Sequence, residues 1–284
     1  MLLIDEGNEA TVQLSAWGKA IDTALDEGEI HRAVALAQLL LRKQPRHLAT
    51  YERIIHLCWT ARRWEEGREW GLRLLRGDPS NVLGWGILAL SAEKRAEKQA
   101  EGGGQTNLST AHGLWDRALA LDPYNAEVRA GWQRTATDLT TQPVLTQAAL
   151  AFLQLRAKRW EAALPQFFAL SRLDSGQVIY SQGYLLSLWR TQDSRAARQL
   201  AQELTTTHRG MLAGWLVLAS MGDVNDRAIA QGHVQSLDPD GEYATRWLGL
   251  ASQRVDYEVS LSEEEQTVYE GVKGLSQRRL SSPA

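Results

Sequence analysis

The chain has 284 residues, 44% of them hydrophobic and 23% charged, a balance that suits a soluble globular protein and excludes an extended disordered one. A formal charge of −3 offers no general attraction to nucleic acid or to an anionic membrane. Cys58 is the single cysteine, which excludes an intrachain disulfide and a thiolate metal cluster and fits a cytoplasmic protein.

Residues 1–13 form an N-terminal segment. Met1 to Glu6 meets acid at once and has neither a basic leader nor a long apolar run. Nowhere does an apolar run approach the roughly 18 residues that a membrane helix requires, so no membrane insertion is expected.

From residue 14 onward a period emerges. Pro45 and Pro79 close two units 34 residues apart, and Pro123 closes a third that is ten residues longer. The excess falls in a polar stretch near 94–107 containing Gly102-Gly103-Gly104, which reads as a loop insertion. Trp17, Tyr51 and Trp85 then share one column near the start of a first helix. Ala20, Ile54 and Leu88 follow three residues on, and Ile21, Ile55 and Ala89 four residues on. In the second helix Ala33, Gly67 and Ala111 share a column of small residues, followed by Ala37, Gly71 and Trp115, then Leu40, Leu74 and Ala118. Spacings of three, four and seven are those of a helix burying one stripe. Small residues in the stripe let two helix axes approach.

This pattern resembles the tetratricopeptide repeat, with its bulky residue at the fourth position, small residues at the eighth and twentieth, and proline at the thirty-second. The resemblance covers residues 14–253. It implies an all-α, right-handed α-solenoid of stacked antiparallel helix pairs. Repeats 14–47, 48–81 and 82–125 and a single helix at 126–140 carrying Trp132 would make a first stack, 14–142. Thr140-Thr141-Gln142-Pro143 should break that helix and act as a joint to a second stack, 143–253.

In the second stack Arg159-Trp160-Glu161-Ala162-Ala163 echoes Arg63-Trp64-Glu65-Glu66-Gly67. Starting a repeat at Pro143 puts Ala162 and Ala169 in the small columns and Asp174 at the closing turn. Pro165 then sits inside the second helix, which should start late or kink. The next unit, 177–210, offers Tyr180, Gly183, Tyr184 and Ala196. A shorter one, 211–241, carries Gly214, Val217, Leu218 and Ala228 and ends at Asp238-Pro239. A last helix at 242–253 contains Trp247 and Leu250. In the C-terminal segment, 254–284, Ser262-Glu263-Glu264-Glu265 is a capping box that should start a short helix near 262–275 bearing Val268, Tyr269, Val272 and Leu275. Ser276 to Ala284 is polar and should fray.

No catalytic arrangement is visible. The six histidines include no H-E-x-x-H pair and no i,i+4 pair. Gly102-Gly103-Gly104-Gln105-Thr106 lacks the Gly-Lys-Ser/Thr ending of a phosphate loop, and no G-x-S-x-G elbow occurs. Cys58 lies on the predicted core stripe, as an inert thiol would. Neither enzyme activity, cofactor nor metal is expected.

Binding is the remaining possibility. In the family resembled, the second, fifth, ninth and twelfth positions of each repeat line the concave groove. Carried over, the first half offers Asp22, Leu25, Glu52, His56, Trp59, Leu83 and Leu90. Some members hold a C-terminal carboxylate with a basic, Asn-containing clamp; here Gly18, Asp22, Glu52 and His56 stand in those places, so such a tail is not expected. The second half offers Val144, Ala151, Val178, Leu185, Leu188, Leu212 and Trp215, an apolar stripe that calls for an occupant. Either the chain's own C-terminal helix fills it or an amphipathic helix of a partner docks there. The expected function is therefore a scaffold or adaptor for other proteins or peptide segments, with self-association open. The rival is a sensory module that closes on a ligand at the 126–142 joint.

Overall fold

The structure is a computed structural model that describes residues 10–101, 107–138, 140, 142–248 and 255–280. Residues 1–9, the central glycines of the insertion, Thr141, Leu250 and residues 281–284 lie outside that set, as do the side chains of Trp247, Val272 and Leu275. The described residues form an all-α solenoid of helices that pack on their neighbours in chain order. The helices are α1 (Leu14–Asp26), α2 (Ile30–Lys43), α3 (Leu48–Thr60), α4 (Trp64–Gly77), α5 (Val82–Glu101), α6 (Ser109–Leu121), α7 (Ala126–Thr135) and α8 (Gln147–Arg156). There follow α9 (Trp160–Leu173), α10 (Val178–Arg190), α11 (Ser194–Thr207), α12 (Leu212–Met221), α13 (Val224–Leu237), α14 (Glu242–Leu248) and α15 (Glu263–Leu280). Two short strands, β1 (Ala10–Gln13) and β2 (Glu258–Leu261), pair antiparallel with Val12 opposite Val259. Four-residue strands with so brief an alternation are not legible in the sequence.

Two devices recur. The first is the turn inside each pair. Gly28, Arg62, Lys158 and Gln192 all take positive φ, between 56° and 72°. After each, the next N–H reaches back five residues, from Glu29 to Ala24, Arg63 to Cys58, Arg159 to Gln154 and Asp193 to Leu188, at 2.8–3.2 Å. These are Schellman caps, and only the first has the glycine that advertises one.

The second device is the fourth residue of the first helix. Tyr51 donates its hydroxyl to the Pro45 carbonyl at 2.6 Å, Trp85 its indole N–H to Pro79 at 2.8 Å, and Trp215 its indole N–H to Arg209 at 2.8 Å. Arg129 of α7 does the same to Pro123 at 3.1 Å. Each side chain covers the turn before its own helix and satisfies a carbonyl there. Trp17 instead donates to Leu36 at 3.1 Å and is wholly buried. Trp85 is only half-buried.

The small column holds. Ala33 and Ala111 are buried to within 1% and Gly67 is buried, but in the second half the buried positions are Ala163 and Ala197. Ala162 and Ala169 are exposed and Ala196 half-buried. Those repeats therefore begin at 144 and 178, one residue later than Pro143 suggests. Proline was a misleading marker because it precedes the Thr146-capped start of α8, where Thr146 Oγ1 accepts the Ala149 N–H at 3.1 Å. α9 also runs through Pro165 without a late start. The carbonyl that loses its partner belongs to Glu161, an exposed residue that water can serve.

The chain divides into two compact units, one of Met1–Leu57 with Gln235–Ala284 and the other of Cys58–Val234. This differs from the expected stacks 14–142 and 143–253, because pairing between distant segments leaves no trace in a local period. In the first unit β1 meets β2 and α15 packs on α2. In the second unit α4 to α7 and α8 to α12 form neighbouring helix layers, with α8 also packed on α6.

Candidate functional site

In the first unit, Asp22 and Glu52 are engaged with the chain's own bases. Arg53 of α3 is buried and grips Asp22 with Nε and Nη2, at 2.8 and 2.9 Å. Its Nη1 and Nη2 also donate to Glu242 of α14, at 3.1 and 2.7 Å. Burial opposes the Arg53 charge, but the two carboxylates more than offset it and hold its pKa above the ordinary arginine value. Glu52 pairs with Arg246, also of α14. A Cβ at Gly18 would lie 2.8 Å from the Arg53 guanidinium, so the absence of a side chain there admits the cation. Leu25 is half-buried and His56 exposed.

The C-terminal helix has its seat in this same unit, on α2. Tyr269 is buried edge-on against Trp17, with ring centres 5.2 Å apart. Lys43 pairs with Glu265 at 2.6 Å, and Gln44 donates to the Tyr257 hydroxyl at 2.9 Å. The capping box is formed, with Ser262 and Glu265 bonding one another's backbone N–H at 3.3 and 3.0 Å.

In the second unit, the apolar stripe is not an open groove. Leu185, Leu188 and Leu212 are buried to 3% or less, Trp215 to 8%, and Val178 is half-buried. With repeats starting at 144 and 178, Leu185 and Leu188 are core positions and Trp215 is the fourth-residue column, stacked on His233 with ring centres 3.8 Å apart. The groove position is Gln182, and it is occupied. Its Nε2 donates to Asp78 Oδ1 at 2.9 Å and to Ser80 Oγ at 3.1 Å. A Cβ at Gly210 would lie 3.0 Å from the Arg76 carbonyl. The turn between α4 and α5 thus sits on α10 and on the approach to α12. Of the first-half candidates in this unit, Trp59 and Leu83 are half-buried, and Leu90 is buried in the cluster with Trp115 and Trp132.

Val144 alone of the second-half candidates is open, at 79% exposure. It lies with Leu119, Tyr124, Pro143 and Leu145 around a cleft of about 140 Å³, with Arg129 on the wall. Tyr124 is 69% exposed. The walls are firmly set. Asn125 Oδ1 caps α7 by accepting from Glu127 and Val128 N–H, both at 3.1 Å, and Arg129 is tied to the Pro123 carbonyl. On the other side Thr146 caps α8, and Arg156 pairs with Asp122 at 3.1 Å. A rigid, mostly apolar notch with one cation suits an apolar side chain with a carbonyl or carboxylate beside it. Tyr124 was missed in the sequence because it falls in a turn, outside any helical stripe; an aromatic following Asp-Pro was its only signal.

Two histidines meet threonine hydroxyls, His47 Nδ1 with Thr50 Oγ1 at 2.9 Å and His112 Nδ1 with Thr135 Oγ1 at 3.1 Å, and both threonines are buried. Burial pushes the Cys58 thiol up to about 11, away from reactivity. No protein-family model matches the chain, and no curated protein does. Among the described residues, no helix is long and apolar enough to cross a membrane.

Proposed function

We propose that the chain is a non-enzymatic scaffold of the tetratricopeptide-repeat kind, working in the cytoplasm and holding partner proteins or peptide segments. The observation that carries this reading is the exposed apolar notch formed by Tyr124, Val144 and Leu145 on a frame of capped helices. Exposed apolar side chains gathered at a rigid notch are the ordinary mark of a docking surface. The helix-pair period, the Schellman turns and the small columns support the family likeness. The groove stripes expected to bind are largely satisfied within the chain, which moves the proposed contact to the notch.

The test is capture from native extract with the wild-type chain and with Tyr124→Ala/Val144→Asp, two changes at exposed positions. A stoichiometric partner retained by the wild type and lost by the double variant would support the reading. A partner retained equally by both would move the contact elsewhere, and a co-purifying small molecule in place of a protein would overturn it.

A further inference from the structure

His47 stands just ahead of α3, and Asp238 and Asp240 lie in the turn ahead of α14, all within the first unit. The three are buried to 2% exposure or less. One candidate ligand atom from each lies within 4.8 Å of the others.

Their hydrogen bonds leave specific atoms over. His47 Nδ1 is held by Thr50 Oγ1 at 2.9 Å, so Nε2 is the ring atom turned to the carboxylates. It lies 3.7 Å from Asp240 Oδ1, within ion-pair distance but beyond hydrogen-bond reach, and is buried without a hydrogen bond. Asp240 receives the Glu242 N–H at 3.1 Å on Oδ1, while its Oδ2 is likewise buried and without a partner. Asp238 receives Tyr243 N–H on Oδ1 at 2.9 Å and Ala244 N–H on Oδ2 at 2.8 Å. Those bonds fix its carboxylate yet leave each oxygen a further lone pair.

A dry site with an unsatisfied imidazole nitrogen beside an unsatisfied carboxylate oxygen is costly. The 3.7 Å gap from Nε2 exceeds a hydrogen bond and is close to the separation of ligand atoms that share a metal ion. Around a tetrahedral ion with bonds of about 2.0–2.2 Å, neighbouring ligand atoms stand roughly 3.3–3.6 Å apart. We propose that His47, Asp238 and Asp240 bind a divalent transition-metal ion, zinc foremost, through His47 Nε2 and one oxygen of each aspartate. Two carboxylates neutralise the dication. The imidazole nitrogen favours zinc over calcium and magnesium, which prefer all-oxygen sites. Thr50 then holds the ring so that Nε2 presents its lone pair, the usual duty of a residue behind a metal-bound histidine. With its ligands on the segment before α3 and the turn before α14, the ion is structural, a clip joining segments far apart in the chain. No ligand spacing betrays it in the sequence, because the residues come from opposite ends.

The full-length chain, purified without chelator, is assayed for metal by mass spectrometry. After dialysis against a chelator, zinc chloride and manganese chloride are titrated by calorimetry, with melting followed by circular dichroism. About one zinc per chain is expected, with a melting temperature that rises on zinc addition and falls with chelator. Asp240→Asn and His47→Gln should abolish both responses. Thr50→Ala, which leaves all three ligands in place, should weaken zinc by about 10- to 100-fold, and it decides the matter if the ligand variants fail to fold. Absence of saturable binding of either metal would overturn the assignment, as would binding unchanged in Thr50→Ala and Asp240→Asn.

Discussion

The ring of Phe167 fills the space that a side chain at Gly183 would need. The same relationship joins Trp115 to Gly131, and it is reversed at Gly71, where an added Cβ would lie 2.7 Å from Ile87. In all three the partners are 16 residues apart. The three seams at Gly71, Gly131 and Gly183 therefore each hold one large and one small residue, on whichever side. Gly183→Ala should destabilise the fold by about 1–3 kcal/mol through overpacking. Phe167→Leu in the same chain should recover part of that loss, giving a coupling energy in a denaturant double-mutant cycle. A Gly183→Ala change within ~0.5 kcal/mol of wild type would show the seam to be slack.

The Schellman turns carry strain where they lack glycine. Lys158 and Gln192 are exposed and held at φ 58° and 65°, a region that costs an L-residue roughly 1–2 kcal/mol. Lys158→Gly and Gln192→Gly should each stabilise, by about 0.5–1 kcal/mol once glycine's greater unfolded-state freedom is deducted. Gly28→Ala, at φ 72° with nothing near its Cβ, should cost about 1 kcal/mol for conformational reasons alone. Urea midpoints read all three.

The tryptophans should separate by burial. Trp115 is buried to 1%, and Trp115→Ala should cost about 3–5 kcal/mol. Trp85 is half-buried with its indole N–H on Pro79, so Trp85→Phe, which keeps most of the ring, should cost about 1 kcal/mol for the lost hydrogen bond. Equal losses at the two sites would contradict the structure.

Cys58 should resist alkylation at neutral pH in the folded chain and react only on unfolding. Its thiol is raised from 9.0 to about 11, by burial first and by Glu66 second. The unfolded chain therefore ionises first. The stability this contributes is full below pH 9 and is lost as pH climbs from 9 through 11. Cys58→Ala should flatten that part of the pH–stability curve, as read by thermal melting.

Much of the fold was legible because helix pairs write themselves locally. Trp17, Tyr51 and Trp85, with Ala33, Gly67 and Ala111, disclose both helices of a pair through side-chain spacing alone. The second half was read one residue out of frame, since Pro143 lies before a capped helix start and the true small residues, Ala163 and Ala197, each adjoin another alanine. That single-residue error turned core leucines into apparent groove residues. What pairs across long distances was not legible: the seat of α15 on α2, Gln182 on the Asp78 turn, and Arg53 between Asp22 and Glu242. Such contacts join segments distant in the chain, which no local period encodes. The Tyr124 notch was hidden for a related reason, as it gathers residues from two turns and a helix end.

The short β1–β2 ribbon has a bearing on biosynthesis. Ala10 faces Leu261 across it, so the earliest-made residues of that ladder wait for the last-made ones. Helices α1 and α2 emerge from the ribosome long before the strand and helix that cover them, so the Trp17 face that receives Tyr269 lacks its cover until that later segment has been made. The second unit, contiguous from Cys58 to Val234, has no such delay and is free to fold first. Nascent chains stalled at successive lengths would show protease protection appearing there before it reaches the N-terminal hairpin.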